Sequence, residues 1–233
     1  MTRIKKITKK KLKEPDEFIG VTEQIFLFVT HHGKVIAAGG GIVLIVLASL
    51  FIYQRWEKKS EEEASRKFSQ AVEIYEGVSS PNREATPAEY KNVLGKFDEI
   101  ITGFPSTLSG KTSILYKGNI QLRLGEFEEA IKSYQNFLEK AGKGKFFRLF
   151  ALEGLGYAYE GKKEYEKALQ AYREIIGEGD HFELADAYLN AGRCYEKLGK
   201  KKEALESYKD FLKVAQNSIM SNGVLRRISV LEN

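Results

Sequence analysis

The chain is 233 residues long with 42% hydrophobic and 30% charged residues and a formal charge of +5, which suits a globular class with room for one domain and an appended segment. The single cysteine, Cys194, excludes an intramolecular disulfide framework, and three histidines with no cysteine beside them leave no zinc set. Eight Lys/Arg against four acids in residues 1–34 account for most of the net charge, so the rest is close to balanced and lacks the basic face that a nucleic-acid-binding domain needs.

In chain order, the tail begins with clustered Lys5, Lys6, Lys9, Lys10, Lys11 and Lys13. Phe18, Val21, Ile25, Phe28 and Val29 then recur at three- and four-residue steps, which predicts an amphipathic helix lying along a membrane surface or docking on protein. Val35 to Tyr53, VIAAGGGIVLIVLASLFIY, carries no charge over 19 residues. As a helix rising ~1.5 Å per residue it matches the hydrocarbon core of a bilayer. Lys34 precedes it, Arg55, Lys58 and Lys59 follow, and Tyr53 and Trp56 stand at interface depth.

A cleaved signal peptide would also contain an apolar run, and Val46-Leu47-Ala48 offers a cleavage pattern. The long preceding region and the continuation of the run to Tyr53 favour an uncleaved transmembrane helix. The basic tail places the N-terminus in the cytoplasm. The cations nearest the segment, counted alone, argue for the opposite orientation.

From Lys111 onward the sequence repeats itself every 36 to 38 residues. Gly118, Gly156 and Gly192 each stand twelve positions before an alanine: Ala130, Ala168 and Ala204. Tyr134, Tyr172 and Tyr208 each follow four residues later. Small residues permit two antiparallel helices to cross closely, and the tyrosine is expected to fill space between neighbouring hairpins. Turns are expected at Gly125-Glu126-Phe127, Lys163-Glu164-Tyr165 and Leu198-Gly199-Lys200, with linkers around Gly142-Lys143-Gly144 and Gly177-Glu178-Gly179.

With Gly156, Tyr159, Tyr165, Ala168 and Tyr172 in this order, the segment resembles the tetratricopeptide repeat, although Gln121 and Lys201 replace aromatic positions in the first and last copies. The fold class is therefore all-α: a single N-terminal transmembrane helix followed by a tetratricopeptide-repeat α-solenoid. The expected organisation is a basic tail with an amphipathic stretch at 1–34, the membrane helix at 35–53, a degenerate first repeat at 57–105, three hairpins at 111–216 and a capping helix at 217–233.

No nucleophile elbow, phosphate loop or metal motif is present, so neither catalysis nor a cofactor, metal or small-molecule substrate is expected. Such arrays bind proteins along the concave face formed by successive first helices. By register that face carries Leu115, Asn119, Leu122 and Arg123 in the first hairpin, Phe150, Glu153, Tyr157 and Glu160 in the second, and Asp186, Leu189, Arg193 and Glu196 in the third. Leu115 stands where a carboxylate-clamping domain carries Lys, which argues against that subclass. Cys194 reads as a small buried hydrophobe.

The order of tail, amphipathic stretch, membrane helix and repeats ending in RRISVLEN also resembles the YfgM-like ancillary subunit family of the bacterial SecYEG translocon. That resemblance implies an inner-membrane protein with its repeats in the periplasm, whose partners are the Sec translocon, a membrane-bound peptidyl-prolyl isomerase-type chaperone and unfolded clients. An adaptor in cell division or envelope assembly, or an organellar import receptor, is the alternative reading.

Overall fold

The computed structural model describes residues 17–140, 145–178, 181–215 and 217–232, and all regular structure among them is helical. The basic tail up to residue 16 and the Gly142-Lys143-Gly144 linker lie outside the described residues. The chain divides into two compact units, at Glu57 and Lys58.

The first unit holds most of helix α1, which runs without interruption over Glu17–Val78. One helix thus occupies residues that the sequence reading divides among an amphipathic stretch, a membrane segment and the first helix of a repeat. Gly39, Gly40 and Gly41 do not break it, because backbone hydrogen bonds are satisfied inside the helix whatever the side chain. An 18-residue window reaches a mean hydropathy of 2.7 with none of it buried, so the helix is long and apolar enough to cross a membrane. Ile42, Leu44, Ile45 and Ile52 are each more than 60% exposed. The Ser49 hydroxyl donates to the Ile45 carbonyl at 2.8 Å, so no polar group is left for a solvent to satisfy there. At the edge, the Tyr53 and Trp56 ring centroids lie 6.5 Å apart and Arg55 sits 5.3 Å from the Phe51 ring centre.

In the second unit, the C-terminal part of α1 packs with α2 (Pro87–Gly103) through Ala71, Val78, Val93, Phe97 and Ile100. Thr86 and Glu89 form a capping box at the start of α2, with Thr86 accepting from the Glu89 N–H and Glu89 accepting from the Thr86 N–H. Three hairpins follow: α3 (Leu108–Arg123) with α4 (Phe127–Lys140), α5 (Lys145–Gly161) with α6 (Tyr165–Glu178), and α7 (His181–Lys197) with α8 (Lys201–Val214). Helix α9 (Ser221–Glu232) packs Val224 and Ile228 onto the last pair. Gly177 and Glu178 belong to α6, so the expected linker there begins later than the sequence suggested; Gly179 is outside the described residues.

Each hairpin turns by the same device. The N–H of Glu126, Glu164 and Lys200 reaches back five residues to the carbonyl of Gln121, Tyr159 and Tyr195, at 2.9 Å in all three. This closes the first helix in a Schellman motif, which needs a left-handed residue at its tip. Gly125 (φ 74°) and Gly199 (φ 71°) fill that position, and so does Lys163 (φ 62°), where a side chain costs about 1–2 kcal/mol relative to glycine.

The junction between α1 and α3 is polar. The Glu61 carboxylate accepts from the Leu108 N–H at 2.6 Å, the Ser109 N–H at 3.1 Å and the Ser109 hydroxyl at 2.7 Å. A carboxylate on otherwise unpaired N–H groups at a helix start is favoured by both hydrogen bonding and the helix dipole.

Candidate partner-binding surface

The surface is built on the repeated glycine and tyrosine. A Cβ placed on Gly118, Gly156 or Gly192 would overlap the ring of Tyr134, Tyr172 or Tyr208 respectively, and all three rings are fully buried. The glycine is therefore a seat for the tyrosine of its own hairpin. The sequence places the tyrosine between neighbouring hairpins, and the structure adds this seat within its own hairpin. Tyr134 also reaches the next hairpin, because a Cβ on Gly154 there would overlap its ring as well, and Tyr172 shares its core with Ala187 and Ala191 of α7.

A buried tyrosine needs a partner for its hydroxyl. Tyr172 donates to Glu160 Oε1 at 2.6 Å and Tyr208 donates to Glu196 Oε2, and each acceptor lies four residues after the repeat glycine. Burial pushes both phenols well above their ordinary range, and the neighbouring carboxylates push them further. In the first hairpin Leu122 holds the corresponding position, and Tyr134 donates instead to Asn119 Oδ1 at 2.7 Å.

The same carboxylates continue to the next unit of the array. Arg193 of α7 donates to Glu160 of α5 at 2.9 Å, and Arg227 of α9 donates to Glu196 of α7 at 2.5 Å. Glu160, Arg193 and Glu196, which the register assigned to partner contact, are thus held by their own fold. Leu189 packs on the core of the last two hairpins, and Asp186 stays exposed.

The remaining predicted residues converge on an open cleft of about 840 Å³. From α3 it takes Leu115, Asn119, Leu122 and Arg123, and from α5 Phe150, Glu153 and Tyr157. Leu115 is 4% exposed and belongs to the core beneath the cleft, so it shapes the floor. Sequence reasoning missed Tyr75, Tyr116 and Phe147, which also line it. Tyr116 stands at the tip of an aromatic group, with its ring 5.5 Å from Tyr75 and 5.3 Å from Phe68. The aromatic spacing Phe68, Tyr75 was visible in the sequence but reads equally as core.

Within the cleft, Tyr157 donates to Glu153 Oε1 at 3.1 Å and accepts from Asn190 Nδ2 at 3.1 Å. Burial holds the Glu153 carboxyl above its ordinary range, partly offset by that hydroxyl, and burial pushes the Tyr157 phenol up to about 12. Cys194 lies fully buried in the core of the second and third hairpins, its thiol pushed up to about 12 by burial, which leaves it inert toward solvent reagents. Among the described residues no group of three His, Cys, Asp or Glu is placed to hold a metal.

Comparison with known structures gives the same architecture. A crystal structure of MamA protein is 20% identical with a TM-score of 0.52, covering 70% of this chain and 81% of its own. MamA 41-end from Desulfovibrio magneticus RS-1 is 14% identical with a TM-score of 0.54, covering 70% of this chain and 82% of its own. A tetratricopeptide repeat protein from Parabacteroides merdae ATCC 43184 is 20% identical with a TM-score of 0.57, covering 72% of this chain and 60% of its own. At such identities the likeness is one of fold. No curated protein matches the chain. The tetratricopeptide repeat-like domain family matches residues 27–229, nearly the whole chain, which therefore belongs to that family.

Proposed function

We propose that the chain is a non-enzymatic, membrane-anchored scaffold of the bacterial inner membrane, with its repeats in the periplasm, where they hold the Sec translocon, a membrane-bound peptidyl-prolyl isomerase-type chaperone and unfolded secretory clients. The observation that carries this reading is the joining of an exposed apolar helix to a repeat array of the protein-interaction type in one chain. Arrays of this kind bind through extended surfaces, and an anchor raises the local concentration of the array beside membrane partners. The resemblance in element order to the translocon's ancillary subunit supplies the choice of partners.

The test is purification of the full chain in mild detergent with identification of what accompanies it. Recovery of translocon subunits and a membrane-bound isomerase is expected, and their absence together with all secretory clients would sink the reading. Orientation is tested with an impermeant thiol reagent on Asn222→Cys and Lys5→Cys variants, since buried Cys194 stays silent. Asn222→Cys should label once the outer membrane is opened, and Lys5→Cys only after the inner membrane is broken. A mature protein that begins after Ala48 would replace the anchored scaffold with a released one.

A further inference from the structure

The polar groups of the cleft are unevenly matched. Arg123 is exposed and forms no ion pair or hydrogen bond among the described residues. The amide nitrogen of Asn119 is likewise unused, since its oxygen takes the Tyr134 hydroxyl. The hydroxyls of Tyr75 and Tyr116 donate to no protein acceptor among the described residues, and both rings line the cleft. Against these donors stands, among the described lining residues, one carboxylate, Glu153, with one oxygen already holding Tyr157. A ligand that satisfies this wall is rich in acceptors and carries negative charge at one end.

Spacing narrows the class. Tyr116, Asn119 and Arg123 lie on one face of α3 at steps of three and four residues, so their donors are strung along ~10 Å of helix axis. An extended peptide advances ~3.3 Å per residue, which sets about three residues alongside them. Its backbone carbonyls face Tyr116 and Asn119, and a backbone N–H can reach the second Glu153 oxygen. Leu122 and the α5 phenylalanines form an apolar wall for one large side chain. A fatty acid would present its acceptors in one headgroup and leave the strung donors unmatched. A nucleic acid would set its phosphates against Glu153 with a single cation in return.

Resting on the scaffold reading above, we propose that this cleft is a peptide-binding site for an extended segment in which a large apolar residue adjoins an acidic one, with the acid seated on Arg123. The array thereby reads its client or partner at the first hairpin interface, and the second half of the concave face serves as support.

The full chain in lipid nanodiscs is titrated against a fluorescein-labelled, C-terminally amidated hexapeptide, Gly-Ser-Phe-Asp-Ser-Gly, and read by anisotropy against empty nanodiscs. Replacing the peptide's Asp by Lys, or its Phe by Ser, is expected to weaken binding about tenfold or more, the factor that ~1.4 kcal/mol makes. The decisive variant is Arg123→Glu, an exposed change that leaves the fold intact and is expected to invert the preference so that the Lys peptide binds better. Tyr116→Phe should weaken the Asp peptide a few-fold, and Lys202→Glu, on an exposed face away from the cleft, should change nothing. An unchanged ranking in Arg123→Glu overturns the proposal, as does equal displacement of the peptide by sodium decanoate, which would mark a site for apolar anions. If the ranking is unchanged while translocon subunits still co-purify, this site fails and the scaffold reading survives. Loss of co-purification alone strikes the scaffold reading.

Discussion

Four residues after the repeat glycine, the second and third hairpins carry Glu160 and Glu196, and the first carries Leu122. One residue after that glycine, the second hairpin carries Tyr157 and the third Arg193. The rung between the second and third hairpins is therefore Glu160 with Arg193, a bonded ion pair, and the corresponding positions between the first and second are Leu122 and Tyr157, which bond to nothing across the gap. The charged rung uses its side chains on the fold. The uncharged one leaves Arg123, Asn119 and Glu153 around an open cleft. Positions equivalent by repeat register are thus not equivalent in availability, because both members of the rung differ: Glu160 and Arg193 in one, Leu122 and Tyr157 in the other.

The deepest way to break this contrast is to remove the element common to both halves. Tyr172→Ala deletes a fully buried ring from its glycine seat and frees Glu160 from its hydroxyl donor. A loss of ~3–5 kcal/mol is expected, as for other buried aromatics, with Tyr172→Phe costing only ~1 kcal/mol because the ring stays. Urea denaturation of the two variants separates packing from hydrogen bonding. A Phe variant as damaged as the Ala variant would show that the hydroxyl, and not the ring, holds the hairpin.

Next comes the rung itself. Glu160→Leu copies the first hairpin's residue into the second and leaves Arg193 and the Tyr172 hydroxyl without their acceptor. Because Arg193 is about a third exposed and Glu160 less than a fifth, the cost expected is ~2 kcal/mol, between the values for surface and buried pairs. Peptide affinity at the first-hairpin cleft should hold within twofold. The reciprocal change, Leu122→Glu, is the sharper instrument. It places a carboxylate within the cleft beside Arg123, neutralising the only cation that lines it among the described residues, and the Asp peptide should lose about tenfold in affinity or more. Because Leu122 is half-buried against the core of the first two hairpins, thermal unfolding of this variant should show a loss of ~1 kcal/mol. Retained affinity in Leu122→Glu would show that charge at this position does not decide availability.

Much of the fold was legible because its signals are local and repeated. The recurrence of Gly118, Gly156 and Gly192 with Tyr134, Tyr172 and Tyr208 marks pairs that touch in the structure, since a small residue and a large one at fixed spacing fit only one another. Turns were legible at Gly125 and Gly199, and Lys163 shows why residue type alone is insufficient there: the Schellman bonds hold a lysine in the left-handed region. The unbroken α1 was less legible. Glycines and a charge boundary suggest separate elements, whereas a helix that makes its own hydrogen bonds tolerates both. At the site, the register found seven of the cleft's residues but assigned Glu160, Arg193 and Glu196 the same role. Whether a side chain on a shared face is spent on its neighbour depends on the residue one repeat away, a pairing that a single-helix reading does not test. The period itself carried that information, since the carboxylates recur at the glycine plus four.

The smallest effect expected separates the cleft from the rung by pH. Burial holds the Glu153 carboxyl above its ordinary value of 4.5, so between that value and the raised one the folded chain keeps a proton that the unfolded chain has released. The unfolded state gains from releasing it, and folding stability falls as pH rises through this window and stays lower above it. Glu153→Gln removes the penalty and keeps an oxygen able to accept from Tyr157. The variant's Tm should therefore match the parent's well below pH 4.5, where the parent's Glu153 is neutral in both the folded and the unfolded chain, and exceed it modestly at neutral pH. A parent that is the more stable at neutral pH would mean that the Tyr157 bond to an ionised Glu153 outweighs its desolvation. That bond is internal to α5, so Glu153 would then be a charge held on the cleft wall by its own helix, whereas Glu160 is held from the neighbouring hairpin by Arg193.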